Sequence, residues 1–276
     1  MLSCIEIGRT VRGVGPADRA VLRWALLRAP ISMLAELDKW RELELSEDAT
    51  VLVEPTGTFR IRGKSDDLHH VVPSVNGAIV RTIAEHVGPG DTAIDAGANI
   101  GAVTVAMAKI VGSTGKVFAF EMMPETAAQL RTNVALNQLR QVEVIERALS
   151  DRAGQTVTAE YAVGVFGQAS IANGANVGKS VRRVDVRTTT LDAATMTTDW
   201  VALMKMDLEG AEPLALEGAE RMLAKIGAII FESWSSDGGE VGLVLKAHGF
   251  SISPIDGRNF LAKRSQDNTI AAIETR

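Results

Sequence analysis

The sequence predicts an α/β fold built around a mostly parallel sheet of seven strands flanked by helices, with a helical cap at the N-terminus. Two observations predict it. From about residue 92, short apolar runs alternate with longer segments of helical periodicity, which is the order of βαβ units. A glycine-containing loop, DAGANIG, joins the first of these runs to the helix that follows it. Together they favour a doubly wound sheet that binds a ligand at its strand ends.

The first 70 residues are predicted to form the cap. Helical periodicity covers residues 17–28 and 31–40, and two strand-like runs, 50–54 and 58–62, flank a turn. Arginines between the apolar residues of the first helix indicate an amphipathic helix docked on the protein, with contact to a membrane surface as the less favoured alternative.

Strands and helices alternate through the predicted main domain, residues 71–265. Apolar runs predict strands at 92–95, 117–121, 142–145, 201–206, 227–231, 250–253 and 259–262. Helical periodicity predicts helices at 76–87, 102–110, 125–137, 213–225 and 240–248. An insertion at about 152–200 is predicted to hold strands at 155–159 and 181–187. Between them lies a predicted mobile loop at 164–180, which could cover a bound substrate. A polar tail, 266–276, follows.

Composition narrows the function. Hydrophobic residues make up 46% of the 276 residues and charged residues 23%, as in ordinary folded domains. Aromatic residues are only 4% and the net charge is −5, which disfavours base stacking and phosphate contacts. The single cysteine, Cys4, can form no internal disulfide, and no apolar run is as long as a membrane-spanning helix. We therefore expect a cytoplasmic enzyme without a nucleic-acid substrate and without stable membrane insertion.

The loop at residues 95–101 has the pattern of a nucleotide-cofactor site. A strand ends in an acid, and two glycines four residues apart lead into a helix, which lets the backbone approach a ligand. Dinucleotide-binding loops share this order but carry a third glycine and hold a pyrophosphate. A carboxylate would repel pyrophosphate but suits the ammonium and sulfonium of S-adenosylmethionine. The loop therefore favours that cofactor, with Asp95, Gly97, Ala98, Asn99 and Gly101 as binding residues.

The next strand end extends this site. Glu121 ends the run VFAFE, where a carboxylate can accept both hydroxyls of a ribose, and Met122 follows it. Acids serve ribose in the same way in NAD enzymes, so Glu121 indicates a nucleoside without choosing the cofactor. The alternative interpretation of Glu121 is a solvated charge at a strand end.

Three motifs together resemble one known family. They are DAGANIG, then FEMMPETAAQLRTNVALN from residue 120, and KMDLEGAE at residues 205–212. The third, followed by a strand that ends in Phe231 and Glu232, is the distinctive one. In these motifs the sequence is similar to the FkbM family of S-adenosylmethionine-dependent methyltransferases, over roughly residues 50–262.

The resemblance implies a Rossmann-like class I methyltransferase fold, S-adenosylmethionine as the cofactor, and O-methylation of a hydroxyl on a small molecule, sugar or natural product. It also implies an adenine contact after the third strand, which we assign to Ala148. Two departures stand out. Met122 occupies a position where the family commonly has proline, and residues 75–77 lack the aromatic residue and the acid common there.

The candidate catalytic residues follow the strand at 201–206. Methyl transfer to a hydroxyl requires alignment of the reacting atoms and a group that takes the proton. Asp207 is our first choice for positioning or base work, Glu209 is the second, and Lys205 shares a strand face with Asp207. Glu209 and Glu212 could instead stabilise the N-terminus of the following helix.

Several alternatives stay open at this point. His69 and His70 lie near the expected mouth of the site, although adjacent histidines are more often packing or surface residues. A divalent metal on Asp207, Glu209 and Glu232 is conceivable, but we assign no metal ligands. The competing functions are N-methylation, a nicotinamide-dependent oxidoreductase and a binding module without turnover. The sequence predicts no oligomeric state.

Overall fold

The computed structural model describes residues 2–35, 43–162, 165–171 and 181–264. Its helices are α1 (Leu2–Thr10), α2 (Pro16–Ala35), α3 (Asp67–Val71), α4 (Pro73–His86), α5 (Ala102–Val111), α6 (Pro124–Leu136), α7 (Leu191–Ala194), α8 (Glu212–Glu217), α9 (Glu220–Leu223) and α10 (Gly239–Ala247). Its strands are β1 (Val11–Gly13), β2 (Ala49–Val53), β3 (Gly57–Ile61), β4 (Thr92–Ala96), β5 (Lys116–Phe120), β6 (Val142–Ile145), β7 (Ala148–Leu149), β8 (Thr156–Ala162), β9 (Val165–Ser170), β10 (Val181–Thr189), β11 (Val201–Met206), β12 (Ile226–Glu232), β13 (Phe250–Pro254) and β14 (Asn259–Arg264).

The central sheet of the described chain has seven strands in the order β13-β14-β12-β11-β4-β5-β6. β14 is antiparallel to both of its neighbours, and the other neighbouring pairs are parallel. Successive residues of a strand face opposite sides, so Met204 packs among residues of α8 to α10, whereas Leu203 packs among residues of α4 and α5. Helices therefore cover both faces of the sheet, and the predicted α/β fold class is confirmed.

The N-terminal residues add a second, antiparallel sheet in the order β1-β2-β3. Its buried residues Val51 and Phe59 share one apolar cluster with Ile100 and Val105, which lie in the loop after β4 and in α5. This sheet thus packs against the back of the predicted cofactor loop.

A row of amides on α6 holds the free edge of β3. Asn133 accepts the amide N–H of Arg60 at 2.7 Å, and Asn137 accepts that of Thr58 at 2.9 Å and donates to the carbonyl of Thr58 at 2.6 Å. Gln129 donates to the carbonyl of Arg60. Asn133 also donates to the carbonyl of Ile100 at 2.8 Å. These side chains, spaced four residues apart, therefore connect the N-terminal sheet to the cofactor loop.

Three strands of the predicted insertion join β7, which precedes it, in a four-stranded sheet in the order β7-β10-β8-β9. The prediction of a loop over residues 164–180 is wrong for β9, which pairs with β8. Residues 163–164 and 172–180 lie outside the described part. At the end of β9, the hydroxyl of Ser170 donates to the carbonyl of Glu209 at 2.7 Å, so this sheet contacts the loop that follows β11.

Other differences from the sequence prediction concern helices. The predicted helices at 17–28 and 31–40 are one helix, α2, up to residue 35, and residues 36–40 lie outside the described part. The predicted helix at 213–225 is divided into α8 and α9 near Gly218, where a Cβ would lie 2.1 Å from the carbonyl oxygen of Ser150. α1 and β1 were not predicted. In the described chain no helix combines the length and apolar character needed to cross a membrane.

We predict that Asn133→Ala lowers the free energy of unfolding by about 1–3 kcal/mol, because the substitution removes the side-chain partner of the amide N–H of Arg60 and of the buried carbonyl of Ile100. Urea denaturation measures this change. Thr132→Ala, at the exposed neighbouring position of α6, is the control and should change stability by less than about 0.5 kcal/mol. Equal effects of the two substitutions would contradict the role given to Asn133.

Candidate active site

A cavity lies where the chain reverses its direction across the sheet. From β4 the chain proceeds outward through β5 and β6, whereas β11 pairs with the opposite side of β4 and is followed outward by β12. Ligands of such sheets bind at the carboxyl ends of the strands at this point. All predicted site residues except Asp95 and Gly101 line the cavity, namely Gly97, Ala98, Asn99, Glu121, Met122, Ala148, Lys205, Asp207 and Glu209.

Asp95 is fully buried at the end of β4, behind the cavity lining. Its Oδ2 accepts the hydroxyl of Thr104 at 2.6 Å, and its Oδ1 has no hydrogen bond within the described residues but lies 3.8 Å from Nζ of Lys205. Burial raises the pKa of this carboxyl, against the opposing effect of Lys205. The sequence predicted that the charge of Asp95 attracts the positive groups of the cofactor. In the structure this carboxyl lies beside the ammonium of Lys205.

Lys205 connects the ends of β4 and β11, the two strands at which the strand order reverses. Its Nζ donates to the carbonyl of Gly97 at 3.1 Å and lies 3.2 Å from Oδ2 of Asp207. Burial alone would lower the pKa of this ammonium, but the carboxylates of Asp207 and Asp95 more than offset it, so the pKa is raised. Lys205 is therefore charged at neutral pH and fixes the cofactor loop to the end of β11.

The two glycines of the loop are required by contacts within the protein. Gly97 has φ +80°, and a Cβ there would lie 1.8 Å from the carbonyl oxygen of Asp207. Gly101 has φ +94°, and a Cβ there would lie 2.5 Å from a methyl group of Leu130 in α6. The sequence interpretation attributed both to close approach of a ligand, and the structure adds that they let the loop pack against β11 and α6.

Glu121 and Asn99 bring acceptor oxygens to the cavity. The two carboxylate oxygens of Glu121 accept the amide N–H groups of Asn99 at 2.9 Å and Met123 at 2.8 Å. Burial raises the pKa of Glu121 to about 7, although these hydrogen bonds oppose the shift. Asn99 has φ +49°, and its buried Oδ1 has no hydrogen-bond partner among the described residues. An unpaired buried acceptor in a cavity wall is suited to a donor on a ligand.

Carboxylates gather after β11. Glu209, exposed and with φ +53°, has its pKa raised to about 7 by partial burial and by Asp207, Glu232 and Glu212. Glu212 accepts the amide N–H groups of Leu208 at 2.7 Å and Gly210 at 3.0 Å. Glu212 thus holds the loop that carries Glu209, and its hydrogen bonds go to residues that precede α8.

The cavity also contains residues that the sequence analysis did not assign to the site. His70 and Asn76, from α3 and α4, and Arg147, after β6, line it. His70 lies 3.2 Å from Oδ2 of Asp66 through its Nε2. His69 and His70 were noted near the mouth, but no spacing in the sequence distinguished the one that lines the cavity. In the described ranges, no group of three or more His, Cys, Asp and Glu side chains is placed to hold a metal ion.

A family model, the methyltransferase FkbM domain, matches residues 95–252. This stretch contains the cofactor loop, Glu121 and the motif at residues 205–212. The chain belongs to the FkbM methyltransferase family. Membership confirms the predicted family and S-adenosylmethionine as the cofactor, and it decides against the oxidoreductase alternative. The residues fit this cofactor, because Glu121 and Asn99 offer acceptor oxygens for hydroxyl groups of its nucleoside.

Three of the solved structures that match the chain are described as methyltransferases or methylases. An S-adenosylmethionine-dependent O-methyltransferase from Thermotoga maritima is 16% identical, with a TM-score of 0.44 over 78% of this chain and 77% of that chain. A methyltransferase from Geobacter sulfurreducens is 15% identical, with a TM-score of 0.45 over 71% of this chain and 80% of that chain. An rRNA methylase from Streptococcus thermophilus is 15% identical, with 0.41 over 68% and 95%. No curated protein sequence matches the chain.

We predict that Lys205→Met lowers the free energy of unfolding by about 3–5 kcal/mol, because it leaves Asp95 as a buried charge without its cation. The double variant Asp95→Asn/Lys205→Met should recover most of this loss. Chemical denaturation of the variants measures both changes. Lys116→Met removes an exposed lysine that lies 2.9 Å from Glu143, and this control should cost less than about 1 kcal/mol. A double variant as unstable as Lys205→Met would show that Asp95 is not the group that Lys205 stabilises.

Proposed function

We propose that this methyltransferase transfers the methyl group of S-adenosylmethionine to a hydroxyl of a small molecule. The observation that carries the proposal is the position of Glu209, which lines the cavity in the loop after β11, two residues from Asp207; its pKa, raised to about 7, suits proton transfer at neutral pH. An alcohol is a poor nucleophile until its proton has a place to go, whereas Asp207 is engaged by Lys205. Glu209 is therefore the proposed base, and Asp207 the proposed positioning group.

The cofactor would lie across the ends of β4, β5 and β6. Glu121 would accept the ribose hydroxyls beside Met122, Asn99 would accept a further donor, and Ala148 would contact the adenine ring, since all four line one cavity. Asp95 and Gly101 would support the site without lining the cavity. Asp95 would hold Lys205, and Gly101 would let the loop pack against α6. Bound in this way, S-adenosylmethionine supplies an electrophilic methyl carbon on a sulfonium and leaves as S-adenosylhomocysteine.

The residues after β11 would organise the transfer. The carboxylate of Glu209 would take the proton of the acceptor hydroxyl as that oxygen accepts the methyl group, and it would then release the proton to water. Asp207, fixed by Lys205 at 3.2 Å, would hold the reacting groups in line. Much of the rate in such a reaction comes from this alignment.

The charge of the site supports a small, uncharged acceptor. The carboxylate of Asp207 lies close enough to raise the pKa of Glu209 and that of Glu232, and the chain has a net charge of −5. Negative charge at the acceptor end opposes binding of a phosphate backbone. We therefore propose a small-molecule acceptor and no nucleic acid.

A panel of hydroxylated small molecules and amines, incubated with the protein and isotope-labelled S-adenosylmethionine, tests the acceptor chemistry. We expect a labelled product in which NMR places the methyl group on oxygen. A methyl group on nitrogen would establish the runner-up chemistry. S-adenosylhomocysteine binding without transfer to any member would favour a binding module.

We predict that Glu121→Ala weakens S-adenosylhomocysteine binding about 100-fold, because it removes two charge-assisted hydrogen bonds to the ribose. Asp207→Ala should keep that affinity close to wild type while transfer to the acceptor is lost. Isothermal titration calorimetry measures the affinity, and product formation measures the transfer. Unchanged affinity in Glu121→Ala would remove this residue from the ribose site.

We predict that methyl transfer at saturating substrates rises with pH through an apparent pKa near 7, since Glu209 must be ionised to accept the proton. Glu209→Gln should lower kcat by about 100-fold or more and abolish that ionisation. Glu217→Gln, at an exposed position on α8, is the matched control and should keep the wild-type profile. An unchanged profile in Glu209→Gln would assign the base elsewhere.

The raised pKa of Glu209 also predicts how the stability of the protein depends on pH. Because the pKa of Glu209 is raised in the folded protein from 4.5 to about 7, its stabilising contribution is complete below pH 4.5 and is lost as the pH rises through about 7. Glu209→Gln stays neutral, so its Tm should exceed that of the wild type by more at pH 8 than at pH 5. Thermal denaturation at the two pH values measures this, and a pH-independent difference would contradict the assigned shift.

A further inference from the structure

An exposed tryptophan follows β12 at the sheet edge that carries the active site. Trp234 is 85% exposed, in a chain whose aromatic content is only 4%. A single exposed apolar residue on a protein surface is ordinary. Trp234 differs because the guanidinium of Arg258 lies over one face of its ring.

Arg258 holds this ring. Its guanidinium carbon lies 4.7 Å from the ring centroid of Trp234, and its Nη1 lies 3.3 Å from a carboxylate oxygen of Glu232. Its carbonyl accepts the amide N–H of Ser233 at 2.9 Å, and its own amide N–H donates to Asp256 at 3.0 Å. Arg258 therefore has partners for both its side chain and its backbone. One face of the Trp234 ring is covered by a cation, while the ring as a whole remains exposed.

Strand register places this group beside the methyl-transfer end. Met206 of β11 pairs with Phe231 of the parallel strand β12. The next residues, Asp207 and Glu232, therefore lie side by side, with their Cα atoms about 5 Å apart. Burial and the carboxylate of Asp207 raise the pKa of Glu232, in agreement with this proximity. Trp234 follows two residues later, with its Cα within about 7 Å of that of Glu232.

The chemistry of the group defines the ligand that fits it. The face of an indole attracts weakly polarised C–H groups, a carboxylate accepts hydroxyl protons, and a guanidinium donates to hydroxyl oxygens. The surrounding residues Ser233, Ser235 and Asp237 are polar, which disfavours an extended apolar ligand. The carboxylates of Asp207 and Glu209, which lie near Glu232, disfavour an anionic ligand.

We propose that Trp234, Arg258 and Glu232 form a subsite for a neutral sugar ring of the methyl acceptor. The ring stacks on Trp234, its hydroxyls bond to Glu232 and Arg258, and one hydroxyl is directed toward Asp207 and Glu209. The subsite rests on the proposed function, since it names the acceptor class for the same reaction.

Saturation-transfer NMR with methyl glycosides of common neutral hexoses and deoxyhexoses tests the subsite. The full-length protein is saturated with S-adenosylhomocysteine, whose binding is measured by calorimetry in the same samples. We expect at least one glycoside to bind, Trp234→Ala to weaken it about tenfold or more, and Trp234→Phe to retain part of the affinity. The matched control is Trp24→Ala, which removes a tryptophan 64% exposed on α2 and should leave glycoside binding unchanged.

The outcomes separate this subsite from the proposed function. Bound S-adenosylhomocysteine without binding of any glycoside overturns the subsite and leaves methyl transfer to another small molecule intact. Failure of the wild type to bind S-adenosylhomocysteine overturns both. Equal losses in Trp234→Ala and Trp24→Ala overturn the specific role of Trp234. A change of molar mass in Trp234→Ala by light scattering, with glycoside binding unchanged, would assign Trp234 to a protein contact and also overturn the subsite.

Discussion

The buried ammonium of Lys205 is the interaction on which the site depends. It binds the carbonyl of Gly97, the carboxylate of Asp207 and, at longer range, that of Asp95, so it joins the ends of β4 and β11 at the reversal point of the sheet. A cation in this position is stable because two carboxylates offset its desolvation. The cofactor loop and the methyl-transfer end therefore have a fixed relation to each other.

Other parts of the structure hold the same loop from outside. Asn133 on α6 binds the carbonyl of Ile100 and the edge of β3, which fixes the N-terminal sheet behind the loop. Ser170 of the insertion binds the carbonyl of Glu209 on the opposite side of the site. Asn99 and Glu209 adopt left-handed backbone conformations that cost on the order of 1 kcal/mol each, and these surrounding contacts can maintain them. The cavity is thus organised by its supports before a ligand binds.

Much of this arrangement is local enough to be read from the sequence. The bounds of β6 and β11 are those predicted, because buried parallel strands appear as short apolar runs between turns. The packing constraint on Gly97 could not be predicted, since the carbonyl that excludes a side chain there belongs to Asp207, distant in the sequence. The amides of α6, with their spacing of four residues, were a usable pattern whose partner, the edge of β3, only the fold reveals.

We propose that S-adenosylmethionine lies across this cavity, with its ribose on Glu121 and its sulfur facing Asp207. A crystal structure of the complex with S-adenosylhomocysteine tests it most directly. We expect the ribose hydroxyls on the carboxylate of Glu121, adenine beside Ala148, and the sulfur directed toward Asp207 and Glu209. A ligand bound elsewhere, or bound here with its sulfur turned away from Asp207, would contradict the account.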